Sequence, residues 1–119
     1  RSFWLGDFNY RINGTRSMVD TLLKNNMHDV LTFNDQMRIE RFAGRVLGGF
    51  GEGPVNFKPT YKLNPGSSTY DSSKKARIPS WTDRVFFRPT TEAIRLLAYD
   101  SVSSFRTSDH QPVFAAFEV

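Results

Sequence analysis

The sequence contains no cysteine, which excludes a disulfide framework and a thiolate metal site. It has no run of about 18 apolar residues, so no segment reads as a membrane-spanning helix. Histidine is scarce, and its two occurrences confine any imidazole chemistry to His28 and His110. Neither charge sign is scarce: 16 Lys+Arg stand against 12 Asp+Glu, and the net charge of +4 is only moderately basic. There is no internal repeat and no heptad pattern. No secretory leader is expected, because Arg1 is followed at once by the strand-like Ser2-Phe3-Trp4-Leu5. Opening on a hydrophobic strand without a lead-in suggests a piece of something longer, and 119 residues allow one domain at most.

What is present argues for a folded core. Ile, Leu, Val and Phe make up 31 of 119 residues, above the ~20% region where chains fail to bury enough surface. Eleven of these are Phe, so the core is expected to be largely aromatic.

Ser2 to Gly6 read as a short buried strand that delivers the loop Asp7 to Arg11. Asn13-Gly14 is a turn dipeptide and Thr15 a helix N-cap. Met18, Val19, Leu22, Leu23 and Met27 then recur at helical spacing and leave Arg16, Asp20 and Lys24 to solvent. A second helix is expected from Asn34 or Asp35 to Gly44. The glycine-rich stretch Gly48 to Pro54 can only be a loop, and it lacks the Lys-Ser/Thr ending of a phosphate cradle. Val55 to Lys58 alternates like a strand. Pro59 to Ser80 is polar and aperiodic, and long structureless segments of this kind are usually functional or disordered. Strands are expected at Arg84 to Arg88, Ala93 to Tyr99 and Pro112 to Val119. Helices early and strands late give an α/β or α+β class.

Four constellations could carry chemistry. In Trp4-Leu5-Gly6-Asp7-Phe8-Asn9-Tyr10-Arg11, alternation sends Asp7 and Asn9 one way and Phe8 to the core. A carboxylate and an amide there could activate a water and hold the oxygen it attacks. The same residues equally suit an Asx turn that closes a strand. Thr60-Tyr61-Lys62 and Lys74-Lys75-Ala76-Arg77 put cations beside an aromatic hydroxyl, suited to a phosphate ester or simply to a solvated loop. Pro79-Ser80-Trp81-Thr82-Asp83-Arg84 leads into a strand, and Ser108-Asp109-His110-Gln111-Pro112-Val113 lies at the mouth of another. A histidine pinned by Asp83 or Asp109 can donate to a phosphoryl oxygen. His28, polar-flanked after a helix, reads as structural. Asn13-Gly14-Thr15 matches a glycosylation acceptor but reads better as a helix start.

Taken in order, Trp4 to Ile12, Phe57 to Leu63, Lys74 to Val85 and Thr107 to Val113 closely resemble the inositol polyphosphate 5-phosphatases. That family belongs to the larger group that includes DNase I and the AP endonucleases. The resemblance implies the C-terminal half of a DNase I-like domain, a two-sheet β-sandwich flanked by helices, with residues 1–119 as one portion of a single catalytic domain. It implies Mg²⁺-dependent hydrolysis of the 5-phosphate of phosphoinositides or soluble inositol polyphosphates. Asp7 would orient or deprotonate the attacking water, and Asn9 would hold the nucleophile or a phosphate oxygen. His110 would bind the scissile phosphate, with Asp83 fixing its ring and Asp109 near metal and water. Tyr61, Lys62, Lys75 and Arg77 would grip the neighbouring 4-phosphate. No covalent phospho-enzyme is expected, and without cysteine a cysteine nucleophile is impossible.

The sequence departs from the family at Ser80 and Thr82, where Ala and Cys are frequent, both small changes. The main metal-ligating Glu is expected upstream of Arg1, with Asp109 a possible further ligand. The missing N-terminal half would be a required partner, and the protein would be cytoplasmic and peripheral at membranes. No nucleic acid partner is expected. Two other readings follow from the same residues: a nuclease of the same superfamily, or a non-catalytic half-domain that binds phosphoinositide or a complementary chain.

Overall fold

The computed structural model describes residues 2–88 and 94–119. Four strands and three helices are arranged as β1 (Ser2–Asp7), α1 (Arg16–Lys24), α2 (His28–Phe33), α3 (Gln36–Phe42), β2 (Asp83–Arg88), β3 (Arg95–Ser101) and β4 (Val113–Glu118). α1 and α3 start where side chains can accept free backbone N–H groups. Thr15 Oγ1 accepts from Met18 N–H at 3.2 Å and starts α1. Asp35 Oδ2 accepts from Arg38 N–H at 3.2 Å and starts α3.

β1 and β2 pair antiparallel, and their register places Asp7 opposite Asp83. β3 and β4 form a second antiparallel pair, with a register shift between Leu96 and Ala98. Aromatic side chains join the two sheets: Phe117 of β4 lies 5.0 Å from Phe3 and 5.1 Å from Phe87, centroid to centroid. The main core cluster contains Ile12, Val19, Leu31, Phe57, Trp81, Val85 and Tyr99. Trp81 satisfies its indole N–H on Phe57 O at 2.9 Å, so the largest core side chain leaves no buried donor unpaired.

One buried ionic cluster lies beneath β2. The Arg84 guanidinium donates to Glu52 at 2.7 and 2.9 Å and to Trp81 O at 3.2 Å, and pairs with Asp35 at 2.8 Å. Tyr99 Oη donates to the same Glu52 at 2.6 Å and accepts from Val85 N–H at 3.1 Å. Burial by itself would lower the Arg84 pKa, but Glu52 and Asp35 hold it above the ordinary value. Burial, with Glu52 beside it, pushes the Tyr99 phenol well up. This cluster pins α3, the glycine-rich loop, β2 and β3 to one another.

The structure corrects several expectations. β1 is exposed at every position rather than buried, because among the described residues it pairs on one edge only. Residues 55–58 keep the expected alternation, with Phe57 buried and Asn56 and Lys58 exposed, but find no strand partner and form no ladder. The helical region contains two further helices rather than one. α2 was not apparent from periodicity, since six residues are too few to show a stripe, and Met27 precedes α2 instead of ending α1. Arg16 is not simply solvated: besides its ion pair with Asp20 at 2.8 Å, it donates to Arg77 O at 3.3 Å and also to Asp71 O. Of the strand expected at Ala93 to Tyr99, its first residue lies outside the described residues.

Candidate active site

Three separated segments meet at the ends of β1 and β2. Phe8 N–H donates to Thr82 O at 2.7 Å, extending the β1–β2 pairing just past Asp7. Phe8 packs edge-on against buried Phe86 at 5.2 Å, as expected of the inward residue between Asp7 and Asn9. The 107–112 segment is drawn in by the backbone: Leu63 N–H donates to Asp109 O at 2.8 Å and Gln111 N–H to Thr60 O at 2.9 Å. His110 thereby faces β2, and its Nδ1 lies 2.6 Å from Asp83 Oδ2. Ligand atoms of Asp7, Asp83 and His110 all lie within 4.8 Å of one another.

Asp7 Oδ1 accepts the Asn9 N–H at 2.8 Å, so the Asx turn foreseen for this segment does form. Asn9 sits at φ 59°, a left-handed conformation that asparagine tolerates better than most residues. The turn and the site are therefore the same feature. Asp83 also receives the Thr82 hydroxyl at 3.3 Å, and with His110 on the same oxygen its orientation is held from two sides.

Tyr61 lies against His110, with ring centroids 4.3 Å apart, and the backbones of the two residues bridge. Its neighbour Lys62 is thus carried to the edge of the site. Asp109 stands further out, with Oδ1 4.0 Å from His110 Nε2, and is not a member of the Asp7–Asp83–His110 cluster.

Lys75 and Arg77 belong to an aperiodic loop whose order comes from a residue the sequence reading missed. The buried Asp71 carboxylate accepts Ser73 N–H at 3.0 Å and Arg77 N–H at 2.9 Å. Asp71 N–H donates to Lys62 O at 2.9 Å, tying the loop back to the Tyr61 segment. The Arg77 and Ser73 hydrogen bonds, with the Lys62 charge nearby, hold the Asp71 carboxyl well below the usual carboxylate range. The signal was the Asp-Ser-Ser run, in which a carboxylate can accept backbone N–H groups two residues on. Nearby Tyr70 donates its hydroxyl to Pro59 O at 2.7 Å, and burial raises its pKa.

His28 is structural, as its flanks suggested. Its Nε2 lies 2.6 Å from Val55 O and its ring packs edge-on to Trp81 at 5.4 Å.

As to a metal, Asp7 and Asp83 offer the hard oxygen donors that a divalent cation such as Ca²⁺ or Mg²⁺ prefers. Asp83 Oδ2 is already engaged by His110 at 2.6 Å, so the two carboxylates fit such an ion only as part of a larger oxygen set.

Two packed sheets with helices and a carboxylate–histidine cluster at the strand ends define a DNase I-like mixed α/β fold. The solved 5-phosphatase domain of SPsynaptojanin, in complex with inositol (1,4)-bisphosphate and calcium ion, superposes with a TM-score of 0.92 at 38% identity. That match covers 98% of this chain and 34% of the other. Residues 1–116 match the model of Endonuclease/Exonuclease/phosphatase family 2, and the chain belongs to that family.

The chain is 46% identical over 116 residues to type IV inositol polyphosphate 5-phosphatase 11 of Arabidopsis thaliana, covering 94% of this chain and 35% of the relative. The expected half of a catalytic domain is thus about a third of the matched length. Ordered motifs fix direction along a chain but not how much lies between or before them. Cimex nitrophorin, solved as a ferrous NO complex, also superposes, with a TM-score of 0.86 at 34% identity over 97% of this chain and 40% of the other. The fold therefore hosts more than one chemistry, and function must be argued from the site.

Proposed function

We propose that this chain carries the catalytic carboxylate and histidine of a phosphatase that removes the 5-phosphate of phosphoinositides or soluble inositol polyphosphates. The observation that carries the reading is the convergence of Asp7, Asp83 and His110 within 4.8 Å. Asp7 takes a proton from water, and the water oxygen forms the new bond to phosphorus. The bond from phosphorus to the inositol 5-oxygen breaks, and that oxygen leaves with a proton from solvent. Asp83 holds the His110 ring through Nδ1 and leaves Nε2 to face a phosphoryl oxygen. Tyr61, Lys62, Lys75 and Arg77 form the grip for the neighbouring 4-phosphate. Their support is the loop organised by Asp71, together with the inositol (1,4)-bisphosphate bound by the SPsynaptojanin domain.

The metal is Mg²⁺ in this reading. When bound, it would neutralise phosphate charge, held by a main Glu that the upstream part of the domain would supply, with Asp109 nearby. Calcium in the SPsynaptojanin complex supports a divalent ion. That upstream part is a required partner, and the 119 residues by themselves turn over negligibly. The substrate's lipid form would bring the protein to a membrane surface from the cytoplasm; no helix among the described residues is long and apolar enough to span one.

The test is phosphate release from an inositol 4,5-bisphosphate substrate by the intact catalytic domain that contains this chain. Asp7→Asn and His110→Ala should each lower kcat by about 10²–10⁴-fold, the range for losing a positioned acid or base. Full activity in either variant would overturn the assignment. Faster cleavage of an abasic duplex than of the inositol substrate would favour a nuclease, which the broader family includes.

A further inference from the structure

Arg11 is absent from every role assigned so far, yet it touches both sides of the site. Its Nη2 donates to Asn9 Oδ1 at 2.5 Å and its Nε to Asn9 O at 3.2 Å. Its guanidinium carbon lies 4.8 Å from the centre of the Tyr61 ring, and that ring in turn packs 4.3 Å from His110. The Arg11 backbone is fixed independently, since its N–H donates to Gln36 Oε1 and its carbonyl accepts Gln36 N–H, both at 2.9 Å. α3 therefore anchors the arginine, and the arginine bridges Asn9 to the Tyr61–His110 stack.

A guanidinium can only donate, so the atom facing it must be the amide oxygen of Asn9. Because the amide is planar, turning Oδ1 to the guanidinium turns the Asn9 NH₂ away from it. An amide fixed this way offers its N–H groups to a phosphoryl oxygen. Arg11 also bonds the main-chain oxygen of Asn9, which ties the two residues at a second point. Lysine could not replace it, because a single ammonium cannot meet two Asn9 oxygens in a planar fork and cover an aromatic face at once.

We propose that Arg11 is a positioning residue that fixes Asn9 as a hydrogen-bond donor to the phosphoryl group and locks its position relative to His110. This rests on the phosphatase reading, and it chooses between the two roles that the sequence left open for Asn9.

The experiment has two arms, both on the intact protein that carries this chain. In the first, Arg11→Lys and Arg11→Gln are compared with wild type on a soluble inositol 4,5-bisphosphate substrate. Both should lose about 10²-fold in kcat, the scale expected when a reacting group is misplaced by around an ångström, with KM within about twofold. A rise in KM alone, or recovery of kcat by lysine, would overturn the proposal. In the second arm, the protein is labelled with ¹⁵N at asparagine and titrated with inorganic phosphate. The Asn9 side-chain NH₂ resonance should shift in wild type and stay still in Arg11→Gln. An equal shift in both, or none in wild type, would overturn the assignment whether or not the protein turns over. Absence of turnover in wild type would sink the phosphatase reading, and the phosphate titration would then decide the role of Arg11.

Discussion

At the candidate site, hydrogen bonds to Asp7 and Asp83 fix which carboxylate oxygen of each is already engaged. Asp83 spends Oδ2 on His110 and Thr82, and Asp7 spends Oδ1 on the Asn9 backbone. Asp71 has the same character in the 71–77 loop, accepting Arg77 and Ser73 N–H groups with a carboxyl pKa held well down. Because the folded pKa lies below the unfolded value of about 3.9, this carboxylate contributes stability above that pH. The contribution fades as pH falls from there towards the folded pKa. Asp71→Asn should therefore lower Tm at neutral pH, and the gap to wild type should close as pH drops below about 4. Thermal melts across that range check the sign; a gap that widened in acid would contradict it. In the intact domain, Asp71→Asn should also raise KM for a 4,5-bisphosphate substrate more than for one lacking the 4-phosphate, as competition kinetics would show.

At the scale of elements, the strands place the carboxylates and the buried ion cluster keeps the strands in place. The β1–β2 register sets Asp7 against Asp83, and a slip of β1 by one residue would turn Asp7 to the face opposite Asp83. Arg84, one residue beyond Asp83, is buried with Glu52, Asp35 and Tyr99 around it. Arg84→Met should destabilise the fold by roughly 3–5 kcal/mol, because Glu52 and Asp35 would be left as buried charges without their partner. Denaturant unfolding of the variant measures this. Adding Glu52→Gln and Asp35→Asn, which remove the stranded charges but keep acceptors for Tyr99 and for the start of α3, should recover part of the loss. Little of this cluster was legible beforehand. Its members lie far apart in sequence, and nothing local distinguishes Glu52, in a glycine-rich loop, from a solvated charge.

For the whole molecule, the partly exposed apolar side chains of β1 are the main feature. Phe3, Trp4 and Leu5 are 41%, 59% and 64% exposed, on a strand with one edge unpaired among the described residues. A hydrophobic edge of this kind favours strand addition between chains. The 119-residue chain by itself should therefore self-associate as its concentration rises, and Leu5→Lys should reduce this. Sedimentation velocity over a concentration series would show it; a chain monomeric throughout would contradict the expectation. The chain spans 35% of the Arabidopsis relative, and supplying the remaining length of the domain should likewise suppress association.

The order of four short motifs, and the residue types within them, was enough to assign the family. Asp7, Asn9, Asp83 and His110 were singled out through the family resemblance, because their residue types alone suited a turn or a structural histidine equally well. The helix start at Thr15 was legible and that of α3 was narrowed to Asn34 or Asp35, since a cap is a local interaction between a side chain and the next turn. Local pattern could not show that residues 55–58 lack a strand partner, that β1 is exposed or that Asp71 organises its loop. Those depend on what lies across space. The partnership of Arg11 with Asn9 and Tyr61 is of the same kind: sequence placed the arginine two residues from Asn9, but only tertiary packing brought Tyr61 under its guanidinium. Side-chain chemistry can be read one residue at a time, whereas orientation depends on which groups the fold brings into contact.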